Sequence, residues 1–468
     1  MLRKVAEVLK SARVCDACLG RQFSMLSTSA TNRARGRALK LVLAMDAHAR
    51  AVSPGGNREE AVDSLRALAS GGNYAPARAV LERLGVAAPE PDAEFTCQLC
   101  GDLFPNLDPL ALNVLESLGE YQFDTFLIGT KLSPVLAERE DEFRRRHQLL
   151  HGEAFKSHLN RELGKVVQKR TNRRVDFEKP DVVVTVALEV GRWSVTVRAA
   201  SLYVYGVYFK HKRGVPQTQW PCFECGGNGC SACGGTGKFF PTSVEELVSE
   251  PFLEASGASR AKFHGAGRED QDALCLGTGR PFVLELKNPK RRVFDLPVLE
   301  AAINEKNEGV VQVKGLRFCR KSVVKKIKEG TQNSPKTYEA LCEVEGPMPR
   351  EEFEEKMKLV KDALETKLVL QRTPSRVSHR RADRTRKKRV FWVEGTWQDE
   401  THFKLRVRTQ GGTYVKELVS GDGGRTQPNV ADLLGRKARC VELDVVEVTF
   451  VELDDGEDFV TSQNTQRL

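Results

Sequence analysis

The chain is 468 residues long, with 40% apolar residues, 29% charged residues and a formal net charge of +10. That length exceeds what one hydrophobic core usually supports, so two to four domains are expected, and the composition is that of an ordinary soluble protein. No apolar stretch approaches the roughly 20 residues that span a bilayer, and the charged, amphipathic start Met1–Lys10 lacks a signal-peptide core, which points to a cytoplasmic protein.

Residues 1–50 read as helices, including the alanine- and leucine-rich Arg33–Ala49, and residues 51–91 as loops joining short helices. Cys15/Cys18 and Cys97/Cys100 are two CxxC pairs in this region. In a cytoplasmic chain such pairs suit metal ligation better than disulfides, and four thiolates complete a closed tetrahedral zinc shell. Closing the loop between the pairs costs little extra entropy for its length. The competing reading is a redox motif or buried thiols. Residues 1–118 are thus expected to form a zinc-stapled helical region.

Residues 119–215 change character. Phe123–Gly129, Val182–Leu188, Trp193–Ala199 and Leu202–Phe209 read as strands, and Ala137–Asn172 as a long polar helical segment. This small α/β module resembles a THUMP RNA-binding domain. Residues 216–240 carry two tandem CxxCxGxG units with Cys222, Cys225, Cys230 and Cys233, which predict a second zinc site in a local knuckle. Cys275, Cys319, Cys342 and Cys440 stand alone and read as core residues.

Residues 241–468 mix strand and helix signals: a capping box at Ser243–Glu246, strands at Pro281–Leu286, Val310–Val313, Lys336–Glu345, Val390–Glu394, Phe403–Thr409 and Cys440–Val451, and a helix at Arg350–Leu370. The fold expected is a multidomain α+β protein whose last domain is a mixed, mainly antiparallel sheet with flanking helices. Within it, Arg372–Arg389 sums to +8. A charge run is often only a solvated face, but this density favours a polyanion and makes Arg372, Arg376, Arg380, Arg381, Arg384 and Arg386 candidate RNA contacts.

The run Phe263-His264-Gly265-Ala266-Gly267-Arg268-Glu269-Asp270 sets one carboxylate behind an arginine at the end of a glycine-rich turn. Downstream follow Lys336-Thr337-Tyr338 and Gly412-Thr413-Tyr414-Val415-Lys416-Glu417-Leu418. With Arg213–Trp220, Leu276–Phe282, Gln371–Asp383 and the amino-terminal Cys15-x-x-Cys18-Leu19-Gly20-Arg21-x-Phe23, these segments resemble the archaeal-type Pus-ten family of tRNA pseudouridine synthases across nearly the whole chain. The resemblance implies isomerisation of T-arm uridines 54 and 55 of tRNA, structural zinc and no organic cofactor.

It further implies Asp270 as nucleophile or base, Lys416 as its ion-pair partner where many relatives carry arginine, and Tyr338 as a stacking and proton-moving group. Arg268 would contact phosphate or hold the vacated base position, Leu418 would pack the base, and Tyr414 would join the substrate contacts. Two alternatives stand beside it. One is an RNA-binding module without catalysis. The other is a zinc deaminase reading of His151-Gly152-Glu153 with Pro221-Cys222-x-x-Cys225, which leaves Cys230 and Cys233 without a role. No obligate protein partner is evident, and a monomer is the default.

Overall fold

The computed structural model describes residues 1–26, 29–380, 382–450 and 452–460, with the side chains of 331–333, 379 and 380 excepted. The chain divides into two compact units, Met1–Ala199 and Ala200–Leu468. No helix among the described residues is long and apolar enough to cross a membrane.

The first unit begins with helices at Leu2–Ser11, Asp16–Arg21, Asn32–Val52, Arg58–Ser70, Ala75–Arg83 and Asp108–Gly119. A four-stranded sheet follows, in the order β2-β1-β3-β4, from β1 (Thr125–Leu132), β2 (Arg174–Val175), β3 (Val182–Glu189) and β4 (Arg192–Ala199). The long helical segment expected from Ala137 to Asn172 is divided between two helices, Pro134–His147 and Phe155–Thr171. Gln148 ends the first of them in the left-handed conformation (φ 51°), its amide bonding back to Arg144 and Arg145 carbonyls. Apolar residues from the helices and the alternating buried positions of β1 and β3 join in one core.

The second unit is built on β5 (Leu202–Lys210), β6 (Arg260–Gly265), β7 (Leu274–Lys287), β8 (Val311–Phe318), β9 (Lys336–Val344), β10 (Val369–Arg372), β11 (Thr385–Lys388), β12 (Val390–Trp397), β13 (His402–Thr409), β14 (Thr426–Gln427) and β15 (Ala438–Val448). Eight of them form a sheet ordered β12-β13-β9-β15-β7-β5-β8, with β6 also on β7. Every pairing is antiparallel except β7 with β15, so the sheet is mixed and mainly antiparallel as expected. Strand β5, expected to belong to the smaller module, pairs instead with β7 and β8, because its apolar alternation (Leu202, Val204, Tyr208) faces the core shared with Phe282, Leu284 and Val313. The helix expected to reach Leu370 stops at Thr366, and Val369 opens β10 of a small second sheet, β11-β10-β14.

The parallel seam between β7 and β15 aligns the loop that precedes β7 with the centre of the sheet. It depends on a close approach. Gly277 sits at φ +58°, and a Cβ there would lie 1.8 Å from the carbonyl oxygen of Val446. Next to it, the Thr278 hydroxyl accepts from Val448 N at 2.9 Å. Gly277→Ala is therefore expected to destabilise the second unit by about 3 kcal/mol or more. The same change at Gly309 (φ +70°, with nothing within 4 Å of the added carbon) should cost only about 1 kcal/mol. Denaturant unfolding of the two variants, compared with the parent, checks the difference; equal losses would mean the seam tolerates the clash.

Candidate active site

The loop 266–273 between β6 and β7 carries Asp270. Successive residues of an extended segment point to opposite sides, and here Glu269 faces inward while Asp270 faces outward. Glu269 is buried and forms an ion pair with Arg280 of β7 at 2.9 Å, both side chains only 1% exposed. Tyr208 of β5, directly across from Arg280, donates its hydroxyl hydrogen to the Glu269 carboxylate at 2.8 Å, and Lys210 stands 3.9 Å away. Burial alone would lower the Arg280 pKa, but Glu269, together with Tyr208, Cys275 and Tyr338, holds the guanidinium above its ordinary value. Burial lowers Lys210, with Glu269 opposing the shift.

These buried cations also grip the loop backbone. Arg280 donates to the Ala266 carbonyl at 2.9 Å and Gln217 to the Gly267 carbonyl at 2.9 Å. Lys210 donates to the carbonyls of Asp270 (3.1 Å) and Gln271 (3.2 Å). From the rim, Arg213 reaches the Asp272 carbonyl at 2.9 Å and Asp444 of β15 at 2.8 Å. Gly267, at φ +84°, makes the turn that a side chain would strain.

The Asp270 carboxylate is one-third exposed, and its closest cation is Arg376. The guanidinium forks onto it, Nη2 to Oδ2 at 3.0 Å and Nη1 to Oδ1 at 3.2 Å, while its Nε donates to buried Glu417 at 2.6 Å. Burial would lower Arg376, but Glu417 and then Asp270 hold it above its usual value. Lys416 lies 3.7 Å from Asp270, within ion-pair range, but its hydrogen bonds go to Asp272 at 2.7 and 2.9 Å. The expected pairing of Asp270 with Lys416 is present only as the longer contact. The planar fork that a lysine cannot supply comes from a different segment.

Tyr338 occupies the middle of the sheet on β9, opposite Val407 of β13 and Val445 of β15. Burial pushes its hydroxyl pKa up to about 12, with Asp270 among the charges acting on it, so it stays protonated at neutral pH. Earlier on the same strand, Lys336 is buried and pushed down to about 7, chiefly by burial and then by Arg280. Leu418 is fully buried on the helix Val415–Ser420, in the core cluster against which Tyr338 packs, so it lies behind the site. Tyr414 precedes that helix, its amide and carbonyl both clamped by the Gln371 side chain at 2.9 and 2.8 Å.

Arg268 is exposed and its guanidinium lies 5.3 Å above the Trp220 ring. In the basic run, Arg372 pairs with Asp383 at 2.7 Å and Arg386 donates to the Thr373 hydroxyl at 3.1 Å, while Arg384 is exposed. Arg381 lies outside the described residues, as does the Arg380 side chain. Sequence reading missed the anchoring set Glu269, Arg280, Tyr208, Lys210 and Gln217, and the target of Arg376. The signal for them was that Glu269, Arg280, Gln217 and Arg376 fall inside the family motifs, whereas Tyr208 and Lys210 do not.

Cys15, Cys18, Cys97 and Cys100 form one group whose sulfurs lie within 4.8 Å of one another, and Cys222, Cys225, Cys230 and Cys233 form another. A zinc tetrahedron with sulfurs at about 2.3 Å has sulfur–sulfur edges of about 3.8 Å. Cys15–Cys100 stand 3.8 Å apart, Cys222–Cys230 3.9 Å and Cys230–Cys233 3.7 Å. Hydrogen bonds from the thiols of Cys100, Cys15 and Cys18 pull Cys97 below its ordinary pKa despite burial, and amide donors, Cys230 foremost, bring Cys233 down to about 6. Both sets fit zinc. With Cys230 and Cys233 completing the second set, no histidine ligand is required, and Glu153 is taken by Asn32 and Arg161. Cys275, Cys319 and Cys342 are buried.

Residues 203–449 match the family model described as Pus10, C-terminal, and residues 110–187 match Pus10 THUMP domain, archaeal. The chain is 42% identical over 450 residues to a protein of Methanothrix thermoacetophila named tRNA pseudouridine synthase Pus10, covering 96% of this chain and 94% of that one. It is 40% identical over 442 residues to a protein of the same name from Methanothermobacter marburgensis, covering 94% and 96%.

Removing one member of a buried ion pair leaves the other charge uncompensated, at about 3–5 kcal/mol. Glu269→Ala should accordingly lower the stability of the second unit by that amount, measured by denaturant unfolding. A loss below about 1 kcal/mol would show that Arg280 finds another partner.

Proposed function

Because the chain belongs to the Pus10 family, we propose that it is a tRNA pseudouridine synthase acting on T-arm uridines without an organic cofactor. The observation that carries this reading is the Asp270 carboxylate, forked by Arg376 at 3.0 and 3.2 Å on a loop anchored from beneath by Glu269 and Arg280. Such a carboxylate is paired with a cation and fixed in direction, which is what an acid must be to act on a substrate.

The reaction breaks the N1–C1′ bond, turns the uracil and forms the C5–C1′ bond; the proton displaced from C5 leaves for a base and N1 takes up a proton, so the formula is unchanged, nothing is oxidised and no group is donated. Asp270 initiates it as nucleophile or base at the ribose or uracil. Arg376 and Lys416 stabilise the carboxylate, and displacement of Arg376 by the incoming nucleotide would raise its reactivity. Tyr338 presents a ring to the extruded uracil and a protonated hydroxyl that can pass a hydrogen, while Leu418 supports it from the core. Tyr414, Arg268, Arg372, Arg376, Arg384 and Arg386 are assigned to RNA contact, with Arg376 serving both roles. Zinc in the two cysteine sets supplies closed structural cross-links, with no open position for substrate.

Incubation of the purified protein with unmodified tRNA, followed by pseudouridine mapping, tests the assignment. Asp270→Ala should lower product formation by about a thousandfold or more, and Arg376→Ala by about a hundredfold with partial recovery in Arg376→Lys. Absence of product from the wild type, or an equally active Asp270→Ala, would leave an RNA-binding protein without this chemistry. Replacing Arg384 and Lys387 by alanine should weaken tRNA binding and reduce the slope of log K against log salt by about 1 for each phosphate no longer neutralised. An unchanged slope would return the basic run to a solvated face.

A further inference from the structure

Four of the 21 residues from 220 to 240 are aromatic, against 7% of the whole chain, and all four gather at the base of the cysteine knuckle. A short backbone ladder closes that base: Phe239 N donates to the Trp220 carbonyl at 3.0 Å, Cys222 N donates to the Gly237 carbonyl at 2.7 Å, and Pro221 bridges Lys238. The rings pack on one another. Phe223 and Phe239 are tilted with centroids 4.7 Å apart, Trp220 and Phe239 lie near-parallel at 6.4 Å, and Phe240 meets both Trp220 (5.3 Å) and Phe239 (4.9 Å) edge-on.

Two of these rings are not core. Phe223 is 69% exposed and Phe239 51% exposed. A knuckle clipped by four thiolates holds its shape through the metal and needs no apolar core, so rings presented to water at this density mark a binding surface.

Their position says what is bound. Gln217, three residues before Trp220, ties this segment to the catalytic loop through the Gly267 carbonyl at 2.9 Å. Arg268, two residues from Asp270, spreads its guanidinium over Trp220. The aromatic surface thus adjoins the arginine side of the catalytic loop, where Arg268 offers a positive charge to a polyanion. Extruding one nucleotide strips its neighbours of a stacking partner, and an exposed aromatic face beside an arginine offers sequence-tolerant stacking to such a base.

We propose that the exposed faces of Phe223 and Phe239 form a stacking platform for an unpaired base of the RNA substrate, next to the nucleotide that Asp270 addresses. This rests on the synthase reading of the site. The platform orders the strand leading into the pocket and leaves the chemistry to the loop.

The zinc-loaded full chain and a T-arm hairpin RNA carrying 2-aminopurine beside the target uridine provide the test, since stacking quenches that fluorophore. Wild type should quench it, and Phe223→Ala/Phe239→Ala should lose the quench and raise KM for tRNA roughly tenfold, with kcat at saturation little changed. Phe223→Leu/Phe239→Leu separates this role from shielding of the metal. Leucines preserve the apolar cover, so they restore zinc content and melting temperature but not the quench if the rings stack on RNA. Unchanged quench and KM in either pair, or full recovery by leucine, would overturn the platform. Pseudouridine formation by the wild type is scored separately, so intact activity with an unaffected double variant sinks this proposal alone, and absent activity sinks the synthase reading.

Discussion

The ion pair between Glu269 and Arg280, closed from solvent beneath the loop that carries Asp270, is the constraint on which the rest of the second unit's candidate site depends. A loop is ordinarily the mobile part of a fold, because its backbone groups face water. This one is held by carbonyl contacts from Arg280, Gln217 and Lys210, three side chains from separate positions on or beside β5 and β7. The arrangement is self-consistent. Arg280 and Lys210 could not be buried without Glu269, and Glu269 could not be buried without them. Positioning of Asp270 is therefore a by-product of neutralising charges in the core.

Above that base, the cations divide. Arg376 and Lys416 both lie within ion-pair reach of Asp270, but each is tethered elsewhere as well, Arg376 to Glu417 and Lys416 to Asp272. Two tethered cations thus face the carboxylate without either being wholly committed to it. Arg376 rises from the 3-10 turn Ser375–Arg380, positioned by Asp422, which accepts from the Ser375 amide at 2.9 Å. The segment with the densest positive charge in the chain thus also supplies the arginine that forks onto Asp270.

The two cysteine sets answer a problem of size. A knuckle of some twenty residues, and helices as short as Asp16–Arg21, bury too little apolar surface to order themselves, and a closed thiolate site substitutes for the missing core. In the knuckle this frees aromatic side chains from packing duty and leaves them at the surface.

The sequence by itself determined the class of the protein, the four cysteine pairs and most strand positions, because these follow from spacing and from short motifs whose meaning is local. The motifs single out Asp270, Tyr338 and Lys416 as candidates, and the fold brings Lys416 within 3.7 Å of Asp270; Cys15/Cys18 with Cys97/Cys100 was legible because ligand number leaves few ways to complete a site. The break at Gln148 and the sheet membership of β5 were not, since a left-handed cap and the choice between two sheets carry no distinct periodicity. Only the tertiary structure decided which cation forks onto Asp270 and which acid anchors its loop. Arg376 and Asp270 are 106 residues apart, and Glu269 and Asp270 are adjacent yet face opposite ways. Ion pairing is set by approaches of about 3 Å, and those exist only once the strands carrying the charges have been packed together.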